Sequence, residues 1–441
     1  MITKILKKIS IDYHIGVTLT YRLWTIVAGA MIIFAIPKFL EPSEQGYYFT
    51  FSSVIGLQVF FELGFNYVIV QMLAHEMANV KIIDGGRLTG NNVNINRIYS
   101  LVKMLKKWYF MISILFAFAI CICGVYFFHV HGDLTTRKWL VPWCLLVLSS
   151  AVSLFISPFL SVLEGMGMVG QVAKIRLVQS VIGYTLFFIL LSFKSGLYAV
   201  PIISASAAIV SCLWVFGKHK NLLFGIKSNG NHVISWRREI FPFQWKIALS
   251  WLSGYFMFQL INPILFMHQG SIAAGKVGMT LQVFNTLVTL SMSWINAKTP
   301  LMARLIAHKN RLELNSLFRN LFIKSGVVNL CLSFGLYFSI FILNRYSFPV
   351  ANRFADMDIV GLLVLSSLIN HAVFSMSVYM RAHKEEPMLL NSIFVGVGII
   401  LCVYFLSKLS VYYALAGYVA IMLMLCLPWC YLLFRKYYKL F

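Results

Sequence analysis

The sequence has few charged residues, and very few of those are acidic. Only 12% of its 441 residues are charged and 14 are Asp or Glu, whereas 60% are hydrophobic. A soluble domain carries about 25% charged residues, so these proportions indicate an integral membrane protein. The sequence also lacks a Walker loop, paired catalytic carboxylates and a nucleophile constellation. We therefore predict that the chain is not an enzyme and does not itself hydrolyse ATP.

Metal-ligand clusters are missing as well. The eight cysteines lie inside apolar runs, where cysteine usually behaves as a small hydrophobe. Cys426 and Cys430 share a helix face, but no histidine or carboxylate accompanies them, so we predict no metal site and no cofactor. The other cysteines are Cys121, Cys123, Cys144, Cys212, Cys331 and Cys402.

The sequence instead contains long continuous apolar runs. They do not show the two-residue alternation of a transmembrane barrel, so we predict an all-α polytopic membrane protein. A span needs about 20 apolar residues, and about twelve runs are long enough. The predicted spans are 15–38, 47–70, 108–130, 139–163, 175–193, 196–216, 241–268, 272–297, 321–343, 359–380, 388–406 and 411–434.

The basic residues predict the orientation. Most of the 37 Lys and Arg residues fall in alternate loops, and the positive-inside rule then places both termini in the cytoplasm. The same rule accounts for the net charge of +23, so we predict no nucleic-acid partner. We read the first apolar run as a retained span rather than a cleaved signal, because it contains Arg22 and continues to Pro37.

A weak internal repeat relates the two halves of the chain. Gln71–Glu76 follows the second span much as Arg304–Lys309 follows the eighth, and Gly46 and Gly275 precede these spans at a similar spacing. Such periodicity is typical of duplicated transporter halves, with the substrate site between them. The predicted division, a parallel repeat of two six-helix lobes and a basic linker, is 1–216, 217–240 and 241–441.

Two connecting segments need an interpretation. Residues 302–321 alternate leucines with cations, which is typical of an amphipathic helix at the membrane surface, although an ordinary solvated connecting helix explains them as well. Gly165–Gly170 matches the dinucleotide-binding glycine pattern but follows a membrane span rather than a strand. We therefore interpret it as a tight turn.

Three charges lie inside predicted spans and are functional hypotheses by default. Arg22 and Glu62 lie at similar depth, about 10–12 Å from one end of adjacent spans. Arg22 either forms a salt bridge with Glu62 or lines a cationic cavity. Lys246 either snorkels to the interface or faces the same cavity. Together Arg22 and Lys246 would bind an anionic head group such as pyrophosphate.

Polar side chains within the spans are the remaining candidates. Most are expected either to bond between helices or to line a cavity. His371 could instead be a proton relay or an acyltransferase base, and Pro263 and Pro158 should kink their helices. The candidates are Gln58, Asn66, Gln259, Asn262, Gln282, Asn285, Asn370 and His371.

The hairpin formed by the first two spans resembles the O-antigen and polysaccharide flippase family of the multidrug/oligosaccharidyl-lipid/polysaccharide exporter superfamily. The similar stretches are Pro37–Leu40, Glu44–Phe51 and Gln58–Gly64, and Leu163–Gly165 and Leu305–Ala307 are also similar. The resemblance implies a flippase of the bacterial inner membrane that moves an undecaprenyl-pyrophosphate-linked oligosaccharide by alternating access. Proton or sodium coupling is plausible for that family, and Glu62 is then the candidate coupling residue.

The resemblance also implies the partners: the lipid-linked oligosaccharide, membrane lipids, and polysaccharide polymerase and chain-length proteins. Two alternatives stay open. One is a drug antiporter of the same superfamily, which would need acidic cavities for cationic compounds. The other is a polytopic acyltransferase or polymerase, which would rest on His371 or on a large periplasmic loop that the sequence lacks.

Overall fold

A computed structural model describes residues 13–83, 87–224, 234–383 and 387–440. Long helices account for most of these residues. The helices are α1 Tyr13–Phe39, α2 Pro42–Ile55, α3 Val59–Glu62, α4 Phe65–Glu76, α5 Asn92–His131, α6 Thr136–Gly165, α7 Val169–Ser192, α8 Pro201–Lys218, α9 Lys220–Phe224, α10 Phe241–Phe258, α11 Ile261–Ala307, α12 Arg311–Arg345, α13 Met357–Arg381, α14 Leu389–Leu406, α15 Val411–Ile421 and α16 Leu427–Leu440.

The all-α polytopic membrane architecture is confirmed. Among the described residues, eight helical segments are long and apolar enough to cross a bilayer, and a ninth span is formed if one bent pair of helices is counted. The predicted spans 15–38, 241–268 and 272–297 fall on α1, α10 and α11, which contain side chains outside the described part. The total of twelve spans and the location of the termini stay predictions.

The structure differs from the sequence-based expectations in three places. The second predicted span is broken rather than continuous, with a bend of 43° between its two halves. Residues 302–321 do not form one helix, because α11 ends at Ala307 and α12 begins at Arg311, where the Asn310 side chain accepts a hydrogen bond from the Glu313 backbone N–H. A short antiparallel hairpin of β1 Val80–Ile83 and β2 Arg87–Gly90 was not predicted.

The chain separates into two compact units. The first takes in the chain up to Ala35, together with Ile55–Val130 and Leu134–Trp251. The second contains Ile36–Val54, His131–Asp133 and Leu252–Phe441. The lobe boundaries 1–216, 217–240 and 241–441 stay a prediction.

Of the two expected proline kinks, the one at Pro263 is present, whereas α6 continues as one helix through Pro158. The helix that precedes Pro263 is interrupted, because α10 ends at Phe258 and α11 begins at Ile261. Gly270 leaves the helical conformation at φ 84° and ψ 173° and divides α11 into a short and a long part. The turn predicted at Gly165–Gly170 lies between α6 and α7, where Gly167 has a φ of 88°.

Candidate functional site

A polar cavity of about 470 Å³ lies inside the first unit. Its walls come from the second span and from α6, α7 and α8. Amides, hydroxyls and one ion pair converge on it, which is the usual composition of a specific binding site. It is lined by Gln58, Asn66, Tyr67, Val70, Ser153, Ser157, Leu160, Ser161, Glu164, Arg176, Gln179, Ala207 and Ser211.

The break in the second span positions one wall of this cavity. Leu63 and Gly64 both adopt left-handed backbone conformations, with φ of 49° and 66°. A leucine rarely adopts a positive φ, and such residues concentrate where function requires them. Glu62 immediately precedes the break, and Asn66 follows it and lines the cavity.

Pro158 shapes the opposite wall on α6. Proline has no backbone N–H, so the carbonyl of Leu154 loses its normal helical donor. The Ser157 hydroxyl donates to that carbonyl at 3.2 Å and in turn accepts from Asn66 Nδ2 at 3.1 Å. Tyr109 O–H donates to Asn66 Oδ1 at 3.5 Å. A single proline therefore fixes the orientation of a cavity amide.

Glu62 lies beside the cavity rather than in its lining. Gln58 Nε2 donates to Glu62 Oε1 at 2.6 Å, and Asn66 also hydrogen-bonds to the Glu62 carboxylate. Its hydrogen-bond partners in the described part of the chain are thus neutral amides, which can accommodate either a carboxylate or a carboxylic acid. Such an arrangement can release and rebind a proton or hold a cation.

The other charges of the cavity neutralise one another. Arg176 Nη1 lies 3.1 Å from Glu164 Oε1, and the two residues flank the turn between α6 and α7. Gln179 donates to Ser211 across the cavity. The sequence reasoning missed Arg176 because it begins the predicted span 175–193 and therefore resembles an ordinary flanking cation.

A second charged cluster in the first unit holds the end of the linker. Arg97 Nε donates to Glu76 Oε1 at 2.7 Å, and its other end donates to Glu239. Burial alone would raise the pKa of Glu239, but the backbone N–H of Ser235 and the Arg97 guanidinium lower it below its usual value. Trp236 packs tilted against Trp108, with ring centroids 6.1 Å apart.

The second unit presents a polar stripe along α11. Gln282, Asn285, Thr289, Ser293 and Asn296 are all exposed. Their spacing of three or four residues places them on one face of the helix. The side-chain amides of Gln282, Asn285 and Asn296 have no hydrogen-bond partner within the described ranges. Unpaired amides are costly in hydrocarbon, so the predicted span 272–297 requires water or a polar ligand along this face.

The remaining polar candidates of the second unit lie elsewhere. Asn370 and His371 are 4% and 3% exposed, and Ser325 Oγ lies 2.9 Å from His371 Nε2. Asn370 Nδ2 donates to the Tyr418 hydroxyl oxygen at 3.3 Å. Asn262 is also buried, whereas Gln259 is exposed at the break between α10 and α11.

The two predicted cavity cations cannot be placed in either site. Arg22 and Lys246 both have helical backbones, but their side chains lie outside the described residues. Whether Arg22 pairs with Glu62 stays a prediction for the same reason. The repeat glycines, by contrast, are in contact: a Cβ added to Gly275 would lie only 2.8 Å from the Gly46 backbone nitrogen.

Secondary transporters commonly bind substrate where membrane helices are broken, and the polar cavity beside the break in the second span has that arrangement. The comparison with solved structures finds transporters with a similar fold. The fold matches an inward-facing MATE family multidrug resistance transporter of the MOP superfamily at 12% identity and a TM-score of 0.59, covering 96% of this chain and 98% of that one.

Two further structures share the fold. The lipid II flippase MurJ matches with a TM-score of 0.60 and 12% identity, over 96% of this chain and 87% of that chain. The MATE multidrug transporter DinF-BH matches with a TM-score of 0.57 and 14% identity, over 98% of this chain and 95% of that chain. No protein-family model and no curated protein matches the sequence.

Proposed function

We propose that the chain is a flippase that moves an undecaprenyl-pyrophosphate-linked oligosaccharide across the bacterial inner membrane by alternating access. The observation that carries the proposal is the stripe on α11. It offers amides and hydroxyls but no carboxylate, across about 20 Å of the predicted span 272–297. Amides and hydroxyls are the groups that hydrogen-bond to sugar hydroxyls, whereas a cationic drug requires an acidic wall.

The remaining elements have complementary roles in this proposal. Arg22 and Lys246 provide positive charge for the pyrophosphate, and the stripe provides neutral contacts for the glycan. Glu62, among its amide neighbours, couples transport to a proton or sodium gradient. The lipid II flippase MurJ, which shares this fold at 12% sequence identity, supports a lipid-linked substrate.

The test is reconstitution of the full chain in vesicles with a polyprenyl-pyrophosphate disaccharide that carries a fluorophore on its sugar. Dithionite added outside quenches only the label in the outer leaflet, so the rate of complete quenching measures translocation. We expect the double substitution Gln282→Leu and Asn285→Leu to reduce this rate at least about tenfold, since two hydrogen bonds to the glycan are lost.

The matched control is Ser339→Leu on α12. Ser339 is also exposed in a span of the second unit, but its hydroxyl already donates to the Gly335 carbonyl at 2.7 Å. We expect this variant to translocate the lipid at the original rate. Translocation by the double variant at the original rate would contradict the proposal.

A drug antiporter is the second candidate, and the cavity of the first unit favours it. Glu164 lines that cavity and Glu62 lies beside it, so a cationic compound that displaced Arg176 from Glu164 would meet two carboxylates there. Efflux of a cationic dye from the same vesicles separates the two functions. Dye transport that requires Glu164, without movement of the labelled lipid, would establish the antiporter instead.

A further inference from the structure

A second type of cavity opens on the surface of the second unit. It has a volume of about 520 Å³ and is almost entirely apolar. We call it the α13 groove, because α12 and α16 form its walls and α13 forms its floor. Its residues are Phe318, Arg319, Phe322, Ala372, Met376, Leu427, Pro428, Tyr431, Phe434 and Tyr438.

The backbone of the last span creates the space for this groove. Pro428 has no N–H to donate to the carbonyl of Met424, and the helix widens into a π-helical turn over Met422–Cys426 just before it. π-Bulges of this kind occur preferentially at functional sites. Tyr431 and Phe434, in the turns that follow the bulge, line the groove.

Aromatic rings hold the groove open at one end. Phe318 packs against Tyr379 and Phe434, with ring centroids 4.8 and 5.2 Å apart. Arg311 Nη2 donates to the Tyr438 carbonyl at 3.0 Å and ties α12 to the last helix. These contacts make the groove a feature of the packed unit rather than a loose gap between side chains.

The only charged residue of the groove lining is Arg319. It is exposed, and it forms no ion pair within the described ranges. Arg435 and Lys436 follow Phe434 on α16 and are exposed as well. An apolar channel that ends at unneutralised cations is complementary to a molecule with a hydrocarbon chain and an anionic head.

We propose that the α13 groove binds an anionic glycerophospholipid of the surrounding bilayer. One acyl chain occupies the channel between Phe322, Ala372 and Tyr431, and the lipid phosphate pairs with the Arg319 guanidinium. The volume lies within the range of about 300–1,000 Å³ that small-molecule sites occupy. The site is separate from the α11 stripe and does not depend on the transported substrate.

The first unit contains a second apolar groove, with which the α13 groove can be compared. An apolar groove of about 450 Å³ between α6 and α8 is lined by residues that include Ser149, Ala205 and Ile209, but no charged residue is among them. A site that recognised only hydrocarbon would treat both grooves alike. A site that recognises an anionic lipid requires the guanidinium of Arg319.

Native mass spectrometry of the purified full chain tests the proposal, with dioleoyl phosphatidylglycerol and dioleoyl phosphatidylcholine titrated separately. We expect one saturable phosphatidylglycerol and no saturable phosphatidylcholine. Arg319→Gln should weaken phosphatidylglycerol binding about fivefold, the effect of one cation near a membrane surface. Ala372→Trp should fill the channel and abolish saturable binding.

The controls keep charge and bulk separate. Arg345→Gln removes a cation from the other end of α12, and Ala205→Trp fills the uncharged groove, so neither should change phosphatidylglycerol binding. All variants are compared only where size-exclusion profiles match the parent chain. Three results would overturn the proposal: unchanged binding in both groove variants, equal loss in the controls, or displacement of phosphatidylglycerol by polyprenyl phosphate at equal concentration.

Discussion

Polar groups serve different purposes in the two compact units. In the first, the polar cavity contains the Arg176–Glu164 ion pair and lies beside Glu62. In the second, the buried polar network is built from neutral side chains, among them Asn329, Ser367 and Ser333. Neutral networks stabilise helix packing at little cost, whereas ionisable groups inside a membrane are expensive and persist where function needs them. Energy coupling by the first unit is therefore a proposal that variants can test, as is a packing role for the buried neutral network of the second.

Glu62→Gln should have the largest effect, because it removes the proton- or cation-binding group and keeps the side-chain shape. We expect the acceleration of lipid translocation by an imposed proton or sodium gradient to fall to the level of protein-free vesicles. The thermal unfolding temperature should not decrease, since an amide can replace the carboxylate in its hydrogen bonds. Glu313→Gln, at the exposed start of α12, is the control. A full gradient response in Glu62→Gln would show that Glu62 of the first unit does not couple transport to the gradient.

Gly275→Val tests packing in the second unit. A Cβ at this position meets the Gly46 backbone, so α2 and α11 must separate. Overpacking of this kind costs about 1–3 kcal/mol, which thermal unfolding in detergent should detect as a clear decrease in the midpoint. Gly335→Val is the matched control, because a Cβ there meets no atom within 4 Å. Equal midpoints for the two variants would show that the glycine contact is not tight.

Asn329→Leu tests the neutral network. Asn329 Nδ2 donates to the Ser367 carbonyl at 3.3 Å, and the Ser291 hydroxyl donates to Asn329 Oδ1 at 3.4 Å. Hydrogen bonds between membrane helices contribute about 0.6–2 kcal/mol each, so the unfolding midpoint should decrease moderately. The translocation rate per folded molecule should not change. A variant of normal stability that no longer transports would place this network in the transport mechanism.

Glu239→Gln should have the smallest effect, limited to the pH range in which the Glu239 carboxylate is ionised. The folded pKa of Glu239 lies below its usual 4.5. Its stabilising contact with Arg97 is therefore present above pH 4.5 and is lost as the pH falls through the lowered folded value. Hydrogen exchange of Ser235–Ile240, corrected for intrinsic rate, should show protection that declines with acid in the parent chain. The variant should be unprotected at every pH, whereas Glu313→Gln should follow the parent.

The sequence was sufficient for the membrane architecture, because apolar length alone identifies a span. It also placed Gly46 and Gly275 in equivalent positions, and the structure brings these two residues into contact. The helix interruption expected at Pro263 is present, whereas α6 continues as one helix through Pro158, where the missing donor affects only the hydrogen bonding.

The cavity was only partly predictable. Gln58 and Asn66 were named, but Arg176 was not, because a cation at the edge of a span is usually an interfacial anchor. The left-handed break at Leu63 could not be foreseen, since leucine strongly disfavours that conformation and only tertiary packing imposes it. Equally, hydropathy does not distinguish the exposed amides of α11 from the buried Asn370.

The hydrogen bonds around Pro158 affect which substitutions this chain can accept during evolution. The loss of one N–H gives Ser157 its acceptor, and Ser157 then gives Asn66 its acceptor. A substitution at Ser157 or Asn66 leaves a stranded hydrogen-bonding group on the other, whereas a residue with an N–H at position 158 restores the helical donor to the Leu154 carbonyl. Among natural variants and in combinatorial libraries, Ser157 and Asn66 should therefore be inherited or replaced together, as one unit of correlated variation.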